Sequence, residues 1–235
     1  KSLSCSEDLP DFKPEQFSQL YKRSLYQSMQ GLVKRTFQQL DSRMNTIPEE
    51  YREIAVNVLK MQPIIIDTMR EIVTQKINTI KIRIHGDYHL GQVLYTGKDF
   101  IIMDFEGEPA RPLTERKLKR SPFRDVAGMI RSFHYAAYST LFMNPTFRKT
   151  DLPSLDPWIK PLCQYMSGVF YNSYLKTASD APFIPESKNE ISILLRTFLL
   201  EKAVYELGYE MNNRPEWVII PLRGIQDMIG NIAEK

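Results

Sequence analysis

Two short stretches of the 235-residue sequence concentrate the side chains able to do acid–base and metal chemistry. His85-Gly86-Asp87-Tyr88-His89 sets a carboxylate between two of the chain's three histidines. Met103-Asp104-Phe105-Glu106-Gly107 follows, with Asp104 seventeen positions after Asp87, at the end of the apolar run Phe100-Ile101-Ile102-Met103. Asp104 and Glu106 are two apart and would point to one side of a continuing strand. If the chain between the stretches forms a hairpin, Asp87, Gln92, Asp104 and Glu106 fall in one small volume. Three carboxylates and an amide repel one another there unless a cation joins them, and hard oxygen ligands favour magnesium over zinc. One carboxylate on each loop suits phosphoryl transfer: one accepts a hydroxyl proton while the other holds the metal on the phosphates.

Each residue also has a blander reading, as a cap or a packed histidine; it is the joint pattern on two neighbouring loops that favours a site. Gly86 and Gly91 have the spacing of a P-loop pair, but Gln92-Val93 stands where that motif needs Lys and Ser or Thr. A transition-metal chelate from His85, Asp87 and His89 is an alternative that needs the loop to converge them. The basic run Arg116, Lys117, Lys119, Arg120 is read as a solvated face, with an approach to phosphate as the second reading.

The elements that must position these loops are mostly helices. Apolar residues Phe17, Leu20, Tyr21, Leu25, Met29, Leu32, Val33, Phe37 and Leu40 recur at three and four, predicting a helix over 14–43. A second helix starts at Pro48 and is interrupted at Pro63. Strands are expected at 81–84, 92–95 and 100–103, the last two joined by the turn Thr96-Gly97-Lys98-Asp99. Residues 107–123 read as a loop or broken helix. Further helices are expected at 124–142, 157–177, 188–212 and 221–233, with proline-containing connections at 144–157 and 180–185, and residues 1–12 form an irregular lead-in. The fold class is mainly α with a small central β-hairpin.

On the helix over 188–212, Leu199, Leu200, Ala203, Val204, Leu207 and Met211 form an apolar arc that should face the core. Lys202, Tyr205, Glu206 and Tyr209 fall on the opposite side, with Asn213 in line and Trp217 just beyond. Tyrosines mixed with a lysine and a carboxylate suit the hydroxyl edges and C–H faces of a sugar.

The totals exclude several classes. With 31 basic and 28 acidic residues, mixed along the chain, nothing points to a nucleic-acid partner. No apolar run approaches a membrane span. Cys5 and Cys163 make neither a metal spacing nor a disulfide framework, so a cytoplasmic location is expected. The first residue is Lys, so the sequence is read as an excised piece of a longer polypeptide.

The run His85-Gly86-Asp87-Tyr88-His89-Leu90-Gly91-Gln92-Val93-Leu94 resembles the catalytic loop of maltokinases, relatives of aminoglycoside phosphotransferases with a protein-kinase-like fold. Asp104-Phe105-Glu106-Gly107-Glu108-Pro109, continuing through Arg111-Pro112-Leu113 to Arg124-Asp125-Val126-Ala127-Gly128-Met129, is similar to the same family. So is Leu200-Glu201-Lys202-Ala203 with Tyr205-Glu206-Leu207 and Asn213-Arg214-Pro215. The resemblance implies transfer of the ATP γ-phosphate to the anomeric hydroxyl of maltose or a related glucoside. It casts Asp87 as the base, Gln92 and Asp104 as magnesium ligands, Glu106 as a supporting acid, and His85 with these three at the nucleotide site. Gln92 stands where the kinase pattern usually has Asn. It also implies the helical C-terminal lobe alone, over 1–235: none of the ten glycines makes a Gly-x-Gly pair, and no strand-borne lysine precedes Asp87, so the N-terminal nucleotide-clamping lobe is expected to be missing. Such kinases occur alone or fused behind trehalose synthase. The competing expectations are a catalytically silent sugar-binding module and a metal-dependent phosphohydrolase.

Overall fold

The computed structural model describes residues 3, 10–109, 112–143, 148 and 150–233. Most of the expected lead-in, Arg111 of the resemblance motif and part of the 144–157 connection lie outside the described residues.

A short strand β1 (Glu15–Gln16) pairs antiparallel with β2 (Ile80–Lys81) and opens the fold. That pairing, with Lys81 Nζ 2.7 Å from Glu15, delays the first helix, so α1 runs Gln19–Ser42 rather than from Pro14. Ser18 caps it by accepting from the Tyr21 amide. Leu25, Met29, Val33, Phe37 and Leu40 form its buried stripe. Leu20 does not join them and is 79% exposed, because five residues before Leu25 lies about 140° round the helix. After α2 (Arg52–Lys60) the break falls at Met61, and α3 (Gln62–Thr74) carries Pro63 in its first turn, where a missing N–H breaks no helical bond.

The central hairpin pairs β3 (Val93–Tyr95) with β4 (Phe100–Ile102), in register Val93 with Ile102 and Tyr95 with Phe100. The expected strand over 81–84 shortens to β2 plus a bridge between Ile82 and Arg120. A short α4 (Leu113–Arg116) interrupts the loop that follows the hairpin. α5 (Phe123–Met143) then leads to α6, which starts at Leu152 and carries Pro157 and Pro161 inside it rather than beginning at Pro157. Both prolines are exposed, so the carbonyls they leave unbonded face water.

α7 (Lys188–Asn213) is the hub, packing on α1, α3, α5 and α8 (Ile219–Ala233). Leu194, Phe198, Leu200, Val204 and Leu207 are buried in the main core with the α1 stripe. Its opposite side is covered by α5, so Glu206 and Glu210 are buried too. The expected apolar arc does face the core, with Leu200, Ala203, Val204, Leu207 and Met211 buried there and Leu199 packed against them, while on the other side Tyr209 stays 47% exposed. A smaller cluster of Ile82, Ile84, Ala178, Ala181 and Phe183 clamps the chain entering the first loop onto the end of α6.

Candidate functional site

Past Ile84 the chain turns at Gly86, whose φ of 87° is in the left-handed region. Asp125, in the first turn of α5, fixes that turn: its two carboxylate oxygens accept from the His85 amide at 2.7 Å and the Gly86 amide at 2.9 Å. Burial pushes the Asp125 carboxyl above its ordinary value, against the pull of those amides. α5 approaches so closely that a Cβ on Gly128 would sit 2.7 Å from the Tyr88 carbonyl.

His85 ties the two loops together. Its Nε2 lies 2.7 Å from the Met103 carbonyl, which can only accept, so Nε2 carries the hydrogen. Nδ1 is left to accept from the Asp87 amide at 3.4 Å. Phe105 and Tyr88 pack on the ring, with centroids 4.8 and 5.5 Å away. With both ring nitrogens engaged and 4% of the residue exposed, His85 is a brace and not a ligand for nucleotide or metal. That also removes the His85–Asp87–His89 chelate.

Asp87 is half-buried. His89 Nδ1 accepts from the Gly91 amide at 3.0 Å, which turns Nε2 toward Asp87, 3.7 Å from Oδ2. Burial raises the Asp87 carboxyl, but the His89 ring and the charge of Lys202 outweigh it and hold the carboxyl below its ordinary value.

On the second loop the strand does not continue. Asp104 has φ 60°, a left-handed conformation, and β4 has ended at Ile102, so Asp104 and Glu106 do not share a strand face. Asp104 Oδ2 accepts from Gln92 Nε2 at 3.0 Å, and the Met103 amide donates to the Gln92 carbonyl at 2.9 Å. Glu106 is exposed in the turn beyond. Among the described residues no group of three or more His, Cys, Asp or Glu is placed to hold a metal, so the expected three-carboxylate cluster is not formed. Gln92 and Asp104 nevertheless suit magnesium, which commonly takes one or two protein carboxylates and completes its shell with phosphate oxygens and water.

Asp87 stands where two cavities meet. The larger, of about 350 Å³, is also lined by Lys202, Tyr205, Glu206 and Tyr209 from α7. Four of the six residues expected to form a sugar wall therefore come together with Asp87. Asn213 and Trp217 do not: the Asn213 amide donates to the Tyr209 carbonyl at 2.8 Å, and Trp217 stacks on Tyr135 beneath the Arg214 guanidinium. α7 ends at Asn213, and the turn beyond swings Trp217 onto a core cluster between α5 and α8.

Sequence reasoning missed Glu108, Tyr135, Glu210 and Arg214 in the same wall. Glu108 lies 3.4 Å from the Tyr205 hydroxyl, which donates to it. Glu210 accepts from Tyr135 at 2.9 Å and from Arg214 at 2.7 Å. Burial raises the Glu210 carboxyl, with Arg214 and Tyr135 pulling it back. The spacing of Glu206, Glu210 and Arg214 at i, i+4, i+8 was the available signal. Glu206 itself is 8% exposed and accepts from the buried Arg131 Nε at 2.8 Å, so it is held by α5 rather than standing free. The smaller cavity, about 90 Å³, has Gly86, Gly107, Arg116, Arg120 and Arg124 in its wall. Arg116 and Arg120 of the basic run thus line a cavity beside Asp87, whereas Lys119 turns away to Glu15.

No family model matches the chain. A solved glucosamine kinase in complex with glucosamine, ADP and inorganic phosphate superposes with a TM-score of 0.69 over 94% of this chain and 51% of that one, at 21% identity. A second crystal form of glucosamine kinase gives a TM-score of 0.71 over 92% and 48%, at 22% identity. The fold is shared with glucosamine kinases. In sequence, the glucosamine kinase of Streptacidiphilus jiangxiensis is 24% identical over 148 residues, and that of Mycolicibacterium smegmatis 28% over 139 residues. The matched segments cover 63% and 58% of this chain but 32% of each relative, so the chain spans about half of the solved kinases and its matches about a third of the curated ones. Among the described residues no helix is long and apolar enough to cross a membrane.

Proposed function

We propose that this chain is the acceptor-binding, catalytic lobe of an ATP-dependent sugar kinase, with Asp87 as the general base. The observation that carries the reading is the position of Asp87: braced through its amide by His85, kept ionised by its surroundings, and set in the wall of a cavity with Lys202, Tyr205 and Tyr209. A sugar hydroxyl beside Asp87 would give up its proton to that carboxylate while its oxygen bonds to the γ-phosphorus and the bond from that phosphorus to the bridging β-phosphate oxygen breaks, releasing ADP. Gln92 and Asp104 would hold magnesium, which supplies neutralisation of phosphate charge when bound. His85 and Asp125 act on position only.

The remaining lobe of the kinase would cover the nucleotide. The hairpin is suited to receive it, since Leu94, Tyr95, Phe100 and Ile101 are all exposed. An exposed apolar cluster of this kind marks a contact surface.

Two acceptors are in view. The sequence resemblance points to maltose; the related proteins are glucosamine kinases. Asp87, Glu108, Glu206 and Glu210 line the larger cavity against Lys202 and Arg214, and with Arg131 paired behind Glu206 the carboxylates still outnumber the cations, a balance that suits an amino sugar better than a neutral disaccharide. With the nucleotide-binding lobe present, turnover of glucosamine and of maltose with ATP should be compared directly. Asp87→Asn should lower turnover by roughly 10²–10⁴, the usual worth of a positioned base, and leave the sugar KM little changed. Near-normal turnover in that variant would remove Asp87 from the role.

A further inference from the structure

α6 leaves one side of itself uncovered. Trp158, Leu162, Tyr165 and Val169 recur along it at four, three and four, and each is between 45% and 73% exposed. They form one narrow stripe, about 110° round the helix from Ile159 and Cys163, which are buried against α5 and α8. The helix runs through Pro157 and Pro161 without ending, so the stripe is continuous. Large apolar residues at this spacing form the seam by which one helix packs on another. Here the seam faces outward.

Its place separates it from the surfaces already described. No α6 residue lines either cavity beside Asp87. The end of α6 that meets the hairpin is the other one, where Phe170 and Tyr174 share a cavity with Ile102 and Phe105. Trp158 lies twelve residues, about 18 Å along the axis, from Phe170, and the stripe points about 110° away from that residue.

Its charge and shape point to a second copy of this chain. Between Pro157 and Leu175 the only charged residue is Lys160, and Asp227 holds its amine at 3.0 Å. An acidic or basic partner would find nothing to pair with, whereas two such faces meet without repulsion. A two-fold axis across the middle of the stripe makes the two helices antiparallel. It sets Leu162 against Tyr165 of the second copy, and Trp158 against its Val169. Each contact then matches a large side chain with a smaller one, the arrangement that fills space best. The four residues expose on the order of 500 Å², close to the apolar share of the roughly 800 Å² that each side of a stable dimer buries. Gln164, Asn172 and Ser173, all exposed, supply a polar rim. We propose that α6 joins two copies of this chain, paired antiparallel about a two-fold between Leu162 and Tyr165.

Sedimentation equilibrium on the lobe-complete kinase should find a dimer that half-associates in about the micromolar range, within the spread for an interface of this size. Leu162→Glu and Tyr165→Lys should each weaken association at least about tenfold, since each buries a charge without a partner. Both substitutions keep good helix formers on an exposed face, so circular dichroism and turnover should not change. Mixing the two variants should restore association, because the antiparallel register brings the two introduced charges together. A mixture that associates no better than either variant alone would overturn the proposal. So would dimers untouched by both substitutions. A kinase that stays monomeric at about 100 μM would overturn it as well, whether the remaining lobe covers the stripe or nothing does. Mass is read without turnover, so failure here would leave the kinase reading untouched.

Discussion

Gly86 and Gly107 meet backbone to backbone across the two loops: a Cβ on Gly86 would lie 3.2 Å from the Gly107 Cα. Both residues are left-handed, with φ of 87° and 82°. Their closeness lets one imidazole, that of His85, span from the Asp87 amide to the Met103 carbonyl.

Gly86→Ala therefore carries a backbone cost of about 1–2 kcal/mol before any displacement of Gly107 is counted. Urea unfolding should show at least that loss. An unchanged midpoint would mean that the turn relaxes without needing glycine.

Glu206→Ala should unfold the chain more easily by about 3–5 kcal/mol, because it leaves the buried Arg131 charge without its partner. The double variant Arg131→Met, Glu206→Leu should recover most of the loss. If Glu206→Ala alone kept full stability, the pair would have no structural weight, and Glu206 would return to being simply a sugar contact.

His134 makes stability depend on pH. Its pKa, pushed down to about 3 by burial and then by Arg131, lies below the ordinary histidine value of 6.5. The unfolded chain binds the proton first, so stability falls as pH drops from about 6.5 toward about 3, by up to a few kcal/mol. His134→Asn keeps an acceptor for Arg131 and should flatten that slope in unfolding measured between pH 4 and 7. The same slope in both proteins would assign it to carboxylates instead.

Lys202→Met should move the acid limb of the rate profile. Lys202 helps hold Asp87 below its ordinary value, so its loss raises the pH at which the proposed base becomes protonated. In the lobe-complete kinase, kcat/KM against pH should show that limb shifted upward. A fixed limb would separate it from Asp87.

Much of the fold was legible because helix periodicity is local. Leu25, Met29, Val33, Phe37 and Leu40 announce the buried side of α1, and Thr96-Gly97-Lys98-Asp99 announces the turn between β3 and β4. Leu20 was misread because counting threes and fours does not say where a helix begins. Pro157 was misread because its cost depends on whether the exposed side of α6 can hydrate the freed carbonyl, which is a tertiary matter.

By itself the sequence determined which chemistry was on offer: Asp87 among histidines, Gln92 five residues on, Asp104 closing an apolar strand, and tyrosines on one side of α7. Their residue types and spacing follow from covalent order alone. Only the tertiary structure decided how they are used. Asp104 takes a left-handed turn and meets Gln92 instead of gathering with Glu106, because β4 stops first. His85 became a brace once Met103 came within reach. Glu206 became an ion-pair partner when α5 buried it against Arg131, and Trp217 left the sugar wall for the core. Burial and partner choice depend on residues far away in sequence, here 75 positions apart for Arg131 and Glu206, and no local pattern encodes them.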